Sequence, residues 1–250
     1  MYTLKKSLGQ HFLKDEGVVD RIMEELMKRP FSRLLEVGPG AGALTRRLVN
    51  LPGVDFRAVE VDAEKVDYLR RTFPVLQERL IHADFLSIPL PFSDPFVVIG
   101  NFPYNISSQI LFRILEWKDH VPAMIGMFQK EVAERAAARE GSRIYGVLSV
   151  LLQYYYQPEF LFSVSNESFI PPPRVQSGVI RLTRKETLFP VKSQRYFTTL
   201  VKTAFGQRRK TLRNAVKSLF GPEHLAERMF DRRAETLSVE EFAQLTFNML

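Results

Sequence analysis

The sequence of 250 residues contains no cysteine. Disulfide staples and cysteine-ligated zinc are therefore excluded. Histidine is scarce. The four present, His11, His82, His120 and His224, show no metal-ligand spacing, so no structural metal is expected. No apolar run reaches the roughly 20 residues that span a membrane. The N-terminus lacks the apolar core of a secretory signal. A cytoplasmic protein is expected, with a monomer as the default. Repeats and low-complexity segments are also missing. What is present is ordinary for a globular chain, 45% hydrophobic and 25% charged residues. The length suits one large α/β domain plus a small appendage.

Charge is unevenly spread. The net charge is +7 and the isoelectric point about 9.6. Residues 181–217 hold eleven lysines and arginines against the single acid Glu186, a surplus of ten, so the rest of the chain stands at −3. A basic C-terminal region on a mildly acidic body points to a polyanionic partner. The plainer alternative is a solvated helix face.

Periodicity predicts helices over 18–27, 45–49, 63–72, 106–117 and 130–139, and strands over 33–37, 55–61, 79–82, 96–100 and 123–128. That alternation implies a parallel sheet with helices on both faces, a doubly wound α/β fold. The pattern changes after about residue 145. Residues 154–162 read as an aromatic strand, and Ile170-Pro171-Pro172-Pro173 as a stiff extended loop. Residues 178–183 alternate and read as an antiparallel strand at the sheet edge. Helical patterns follow over 193–205, 208–219, 222–230 and 238–249, with Ser238 and Glu241 spaced as a capping box at the last. Two domains are expected, 1–187 with an N-terminal arm over 1–14, and an all-helical 188–250.

Three signals fall at carboxyl ends of strands, where open α/β sheets bind ligands. The first is Glu36-Val37-Gly38-Pro39-Gly40-Ala41-Gly42, whose glycines allow backbone to approach a ligand closely. Its spacing differs from the dinucleotide fingerprint. The second is Glu60, eighteen residues past Gly42, placed to hold two ribose hydroxyls. The third is Asp84, which can accept from an adenine amino group. A dehydrogenase and a methyltransferase share this logic. Asn101-Phe102-Pro103-Tyr104, leaving an apolar strand, separates them. The Asn101 side chain and the Phe102 carbonyl can accept from an exocyclic amine, and the Tyr104 ring offers a stacking face. Hydride transfer has no need of such an amine clamp. Phe169, just before the prolines, is a candidate for a second stacking face, with core packing as its alternative.

These pieces, with Gly9-Gln10-His11-Phe12-Leu13, residues 128–135, Phe169–Val175 and Ala204–Arg213, resemble the ribosomal RNA adenine dimethyltransferases of the small subunit over nearly the whole chain. The family often has Asn where His11 stands and Leu where Phe102 stands. The resemblance implies a Rossmann-like class I methyltransferase sheet and S-adenosylmethionine as methyl donor. Its donor contacts would be His11, Leu13, Gly38, Gly40, Glu60, Asp84 and Asn101, and its catalytic residues Asn101, Phe102, Tyr104 and Phe169. The substrate would be small-subunit ribosomal RNA or a pre-assembled small subunit, with two adjacent adenosines as targets near the RNA 3′ end. Arg208, Arg209, Lys210 and Arg213 would meet RNA phosphates, with Lys5, Lys6 and Lys14 on the same surface; the four span more than one helical face, so some of them are expected to support structure instead. An adenine methyltransferase of large-subunit RNA, of the antibiotic-resistance type, shares some of these elements. A non-catalytic RNA-binding assembly factor and a DNA adenine methyltransferase are further alternatives.

Overall fold

The computed structural model describes residues 11–250. Lys5, Lys6, Gly9 and Gln10 lie outside the described residues. The chain divides into two compact units. One comprises the described residues up to Ala133 together with Glu159–Arg184, the other Glu134–Pro158 with Lys185–Leu250. No helix among the described residues is long and apolar enough to cross a membrane.

In the first unit, β1 (Phe12–Leu13) leads to α1 (Glu16–Met27). Asp15 caps that helix by accepting from Val18 N at 3.3 Å. Its apolar positions Val18, Val19, Ile22 and Leu26 recur at helical spacing, and all four are buried. There follow β2 (Arg33–Val37), α2 (Thr45–Leu48), β3 (Asp55–Glu60), α3 (Ala63–Thr72), β4 (Leu80–His82), β5 (Val97–Asn101), α4 (Ser107–Glu116), β6 (Ala123–Gln129) and α5 (Lys130–Ala136). Asp62 caps α3 by accepting from Glu64 N at 3.0 Å. After α6 (Val147–Tyr155) come β7 (Tyr156–Val164), β8 (Phe169–Ile170) and β9 (Ser177–Arg184). The seven-stranded sheet runs β4-β3-β2-β5-β6-β9-β7. Strands β2 to β6 pair in parallel, and β9 lies antiparallel to β6. The antiparallel reading of residues 178–183 thus holds, but β7 takes the edge. On one face Leu34, Phe56, Ile99, Ile125 and Val179 join the α1 residues in the core. Alternation puts Leu35, Val98 and Met124 on the opposite face, and these are buried too.

Two glycines meet in this sheet. Gly100 of β5 is the register partner of Gly126 of β6. The Phe102 ring lies over both. A Cβ at Gly126 would stand 2.2 Å from that ring, and one at Gly100 2.8 Å from it. The ring stacks on Phe128 at 4.7 Å, and Phe102 N donates to Met127 O at 3.0 Å. The departure from leucine at 102 therefore fits the slot these glycines leave.

The second unit holds α6, then α7 (Gln194–Gly206), α8 (Leu212–Ala215), α9 (Pro222–Leu225) and α10 (Val239–Leu245). It is larger than the expected 188–250, because α6 packs against α7 and α10. Residues 154 and 155, read as strand, end that helix. The long helices read over 208–219 and 222–230 are single turns, broken by 3₁₀ and irregular chain. The capping box at Ser238 and Glu241 is formed, with Glu241 N to Ser238 Oγ at 3.1 Å and Ser238 N to Glu241 Oε2 at 2.8 Å.

Replacing Gly126 by Ala should destabilise the protein by about 1–3 kcal/mol, the usual cost of overpacking. Gly206→Ala, where an added Cβ meets no atom within 4 Å, should be neutral or stabilise by up to about 1 kcal/mol. Urea denaturation of both variants checks the contrast, and equal stabilities would refute the slot.

Candidate active site

The chain moves from β2 outward to β3 and β4, then returns to the other side of β2 for β5 and β6. Strand order reverses between β2 and β5, and a crevice opens beyond their carboxyl ends. A cleft of about 250 Å³ lies there. His11, Leu13, Gly38, Gly40, Glu60, Asp84, Asn101, Phe102 and Tyr104 all line it. So do Phe12, Glu36, Val61 and Lys65, which were not singled out as site residues from the sequence.

One half of the cleft is built from the chain that follows β2, β3 and β4. Gly38 and Gly40 take φ values of +69° and +59°, the left-handed region that glycine enters without strain. Glu60 ends β3 and is only 4% exposed. Its Oε1 accepts from the N–H groups of Val61 at 3.0 Å and Asp62 at 3.1 Å, and its Oε2 from Gly40 N at 3.2 Å. Three backbone donors fix the carboxylate, and Oε2, which accepts from only one of them, keeps capacity for a ligand hydroxyl. Asp84 follows β4 and is exposed. Its Oδ1 accepts from Leu86 N at 2.9 Å, which leaves Oδ2 for a ligand donor. Glu36 is buried beside the turn and accepts from Thr45 Oγ1 at 2.8 Å. Burial above all, and the nearby Glu60 charge, push its carboxyl up to about 8 against the pull of the Thr45 hydrogen bond.

The other half is built around Asn101–Tyr104. Asn101 Nδ2 donates to the His11 carbonyl at 3.4 Å, which leaves Oδ1 as an acceptor. The His11 ring stacks on Tyr104 with centroids 5.7 Å apart and planes at 29°. Its Nδ1 lies 2.8 Å from the Pro171 carbonyl, so that nitrogen carries a proton and donates. The Tyr104 hydroxyl is hydrogen-bonded to Ser177 Oγ. Burial raises the hydroxyl above the usual tyrosine range. The aromatic plane is therefore held at its edge and over one face.

Phe169 is elsewhere. Pairing of β8 with β1 sets it beside Leu13, and its ring is 1% exposed in the core. Core packing replaces the stacking role read for it.

The basic stretch is also more divided than its sequence suggests. Arg181 pairs with Glu25 and Glu159, at 2.7 and 2.9 Å. Within the helical unit Arg208 donates to the Arg143 carbonyl at 2.6 Å. Arg213 donates to the Leu225 carbonyl at 2.6 Å and pairs with Asp231 at 3.0 Å. Arg181 thus ties β9 to α1 and β7, and Arg208 and Arg213 tie chain segments of the helical unit together. Arg195, Lys202, Arg209, Lys210 and Lys217 are exposed and pair with no carboxylate among the described residues.

A family profile described as Ribosomal RNA adenine dimethylase matches residues 1–248. The chain belongs to that family. A Ribosomal RNA small subunit methyltransferase A of Flavobacterium johnsoniae is 51% identical over 97% of this chain and 94% of its own length. One of Parabacteroides distasonis is 50% identical over 97% and 92%. A crystal structure of a dimethyladenosine transferase from Plasmodium falciparum, 25% identical, covers 94% of this chain and 96% of that one with a TM-score of 0.79. The 23S rRNA methyltransferase ErmE, 24% identical, covers 93% and 99% with a TM-score of 0.71, a likeness of fold. The fold is the class I methyltransferase α/β sheet expected from the sequence.

The raised Glu36 carboxyl makes stability depend on pH. The native state keeps a proton that the unfolded chain loses above its ordinary value of 4.5. That contribution is full below pH 4.5 and is lost as pH rises to about 8, at no more than about 1.4 kcal/mol per pH unit. Glu36→Gln should flatten stability across this window, as followed by denaturant unfolding at pH 5 and pH 8. An unchanged slope would show that Glu36 ionises freely.

Proposed function

We propose that this protein dimethylates the exocyclic amine of two adjacent adenosines near the 3′ end of small-subunit ribosomal RNA, with S-adenosylmethionine as donor. The observation that carries the reading is the Asn101 amide, whose Nδ2 donates to the His11 carbonyl and whose Oδ1 is left to accept. Relatives about 50% identical that bear a small-subunit name support the choice of subunit over the large-subunit alternative. The binding and assembly-factor alternative does not account for a fully built donor half.

The residues present fit the donor. Glu60 would hold the ribose hydroxyls, Asp84 Oδ2 the adenine amine, and the glycine turn the methionine portion. S-adenosylmethionine supplies, when bound, an electrophilic methyl group on a sulfonium. Asn101 Oδ1 and the Phe102 carbonyl would accept from the target amine. Adenine's amine is a poor nucleophile because its lone pair is delocalised into the ring. Two acceptors on one side favour a pyramidal nitrogen and localise that pair. Orientation of this kind supplies much of the acceleration. The amine proton would turn acidic only as the new N–C bond forms and the donor's C–S bond breaks, and it would then pass to water, so no general base is required beforehand. After one transfer a single proton remains, so the clamp works with either acceptor.

The target base must leave its stack to reach this turn. The Tyr104 face not covered by His11 would receive it. Exposed Arg209 and Lys210, with Arg195, Lys202 and Lys217 in the same helical unit, would meet phosphates. Arg208 and Arg213, spent on carbonyls, would support that surface from within. The substrate places the work in the cytoplasm, and a monomer suffices for the chemistry.

Incubation with labelled S-adenosylmethionine and unmodified small subunits, followed by mass spectrometry of digested RNA, tests the reading. Dimethyladenosine is expected, with Asn101→Ala lowering the rate about a hundredfold or more. Transfer to large-subunit RNA alone, or undiminished transfer by the variant, would contradict it. Replacing Arg209 and Lys210 together by Ala should weaken RNA binding and make its logarithmic salt slope shallower by about 1–2. An unaltered slope in filter-binding titrations would exclude these two from the RNA surface.

A further inference from the structure

Lys65 stands in the first turn of α3 and lines the cleft beside Glu60. It is 8% exposed. Lysine almost always keeps its ammonium in water. Here Nζ lies 3.9 Å from Glu60 Oε2 and 5.8 Å from the centroid of the Phe12 ring. Among the described residues that line the cleft, it is the one lysine or arginine, set against Glu36, Glu60 and Asp84. Asp84 is exposed, while Glu60 and the α3 cap Asp62 are buried. Lys65 thus sets a positive charge beside the Glu60 carboxylate at the cleft.

A positive charge held at that place repels a cation bound in the cleft. The donor carries one more positive charge than the thioether it leaves behind. We infer that Lys65 is a further residue of the donor site, whose charge weakens S-adenosylmethionine relative to S-adenosylhomocysteine and so sets the ratio in which the cleft holds the two. The inference rests on the donor reading above. With the ribose on Glu60, the sulfur is one carbon beyond the sugar ring, within reach of the ammonium field. A unit charge at that range in a partly buried site is worth a factor on the order of three to ten in relative affinity. The adenosine and the amino-acid ends are common to both ligands, so contacts to them cancel in the ratio.

Calorimetric titration of the full chain with both ligands tests this. Lys65→Met and Lys65→Gln remove the charge in an apolar and a polar form, and Lys65→Arg retains it. Circular dichroism confirms which variants are folded, and either charge-free form suffices. The dissociation constant of S-adenosylmethionine divided by that of S-adenosylhomocysteine should fall three- to tenfold in the charge-free variants and stay at the wild-type value in Lys65→Arg. A ratio that does not move, whether both affinities are kept or both drop by one factor, overturns the inference, since that is what packing alone would produce. Wild-type protein that binds neither ligand overturns the donor reading itself.

Discussion

The Phe102 ring, set over the register-paired Gly100 and Gly126, is the contact on which the acceptor half of the cleft depends. A sheet buried on both faces leaves little freedom at its carboxyl end. The chain must nevertheless turn there and present an amide. Phe102 solves this by driving its side chain back into the core while its neighbours Asn101 and Tyr104 remain at the cleft. The backbone bond from Phe102 N to Met127 O ties the turn to β6. Pro103 then stiffens the exit toward Tyr104. A catalytic turn held by core packing is more precise than one held by surface polar contacts.

The half around Glu60 uses a different device. Glu60 is oriented by three backbone N–H groups and balanced by Lys65, so its direction owes little to flexible side chains. Glu36 sits deeper, and burial pushes its carboxyl up to about 8. The two halves meet through the segment that precedes α1. His11 touches Asn101 by its carbonyl and Tyr104 by its ring, while Leu13 enters the core through pairing with Phe169. The same short strand thus completes both the cleft and the packing beneath it.

Much of this was legible in the sequence, because period and punctuation are strong where strands are parallel and apolar. The β2 to β6 elements emerged within a residue or two, and the glycine turn, Glu60, Asp84 and Asn101 all line one cleft. The failures have physical causes. Tyr154 and Tyr155 have strand propensity, yet tertiary packing of α6 holds them in a helix. Phe169 reads as a free aromatic, since strand pairing with Leu13 over so long a separation leaves no local trace. Arg208 and Arg213 look like phosphate ligands, but carbonyls of the helical unit had no sequence signal to claim them. Lys65 was not singled out from the sequence, because nothing local distinguishes a lysine in the first turn of α3 from a solvated one.

The central claim concerns which atoms face the target amine. A crystal structure of the protein with a stable donor analogue and an adenosine oligonucleotide would test it most directly. The account predicts the adenine N6 within about 2.7–3.2 Å of both Asn101 Oδ1 and the Phe102 carbonyl, with the base against the open face of Tyr104. An adenine amine turned away from Asn101 and Phe102, or bound beyond hydrogen-bond reach of either, would contradict the amine clamp.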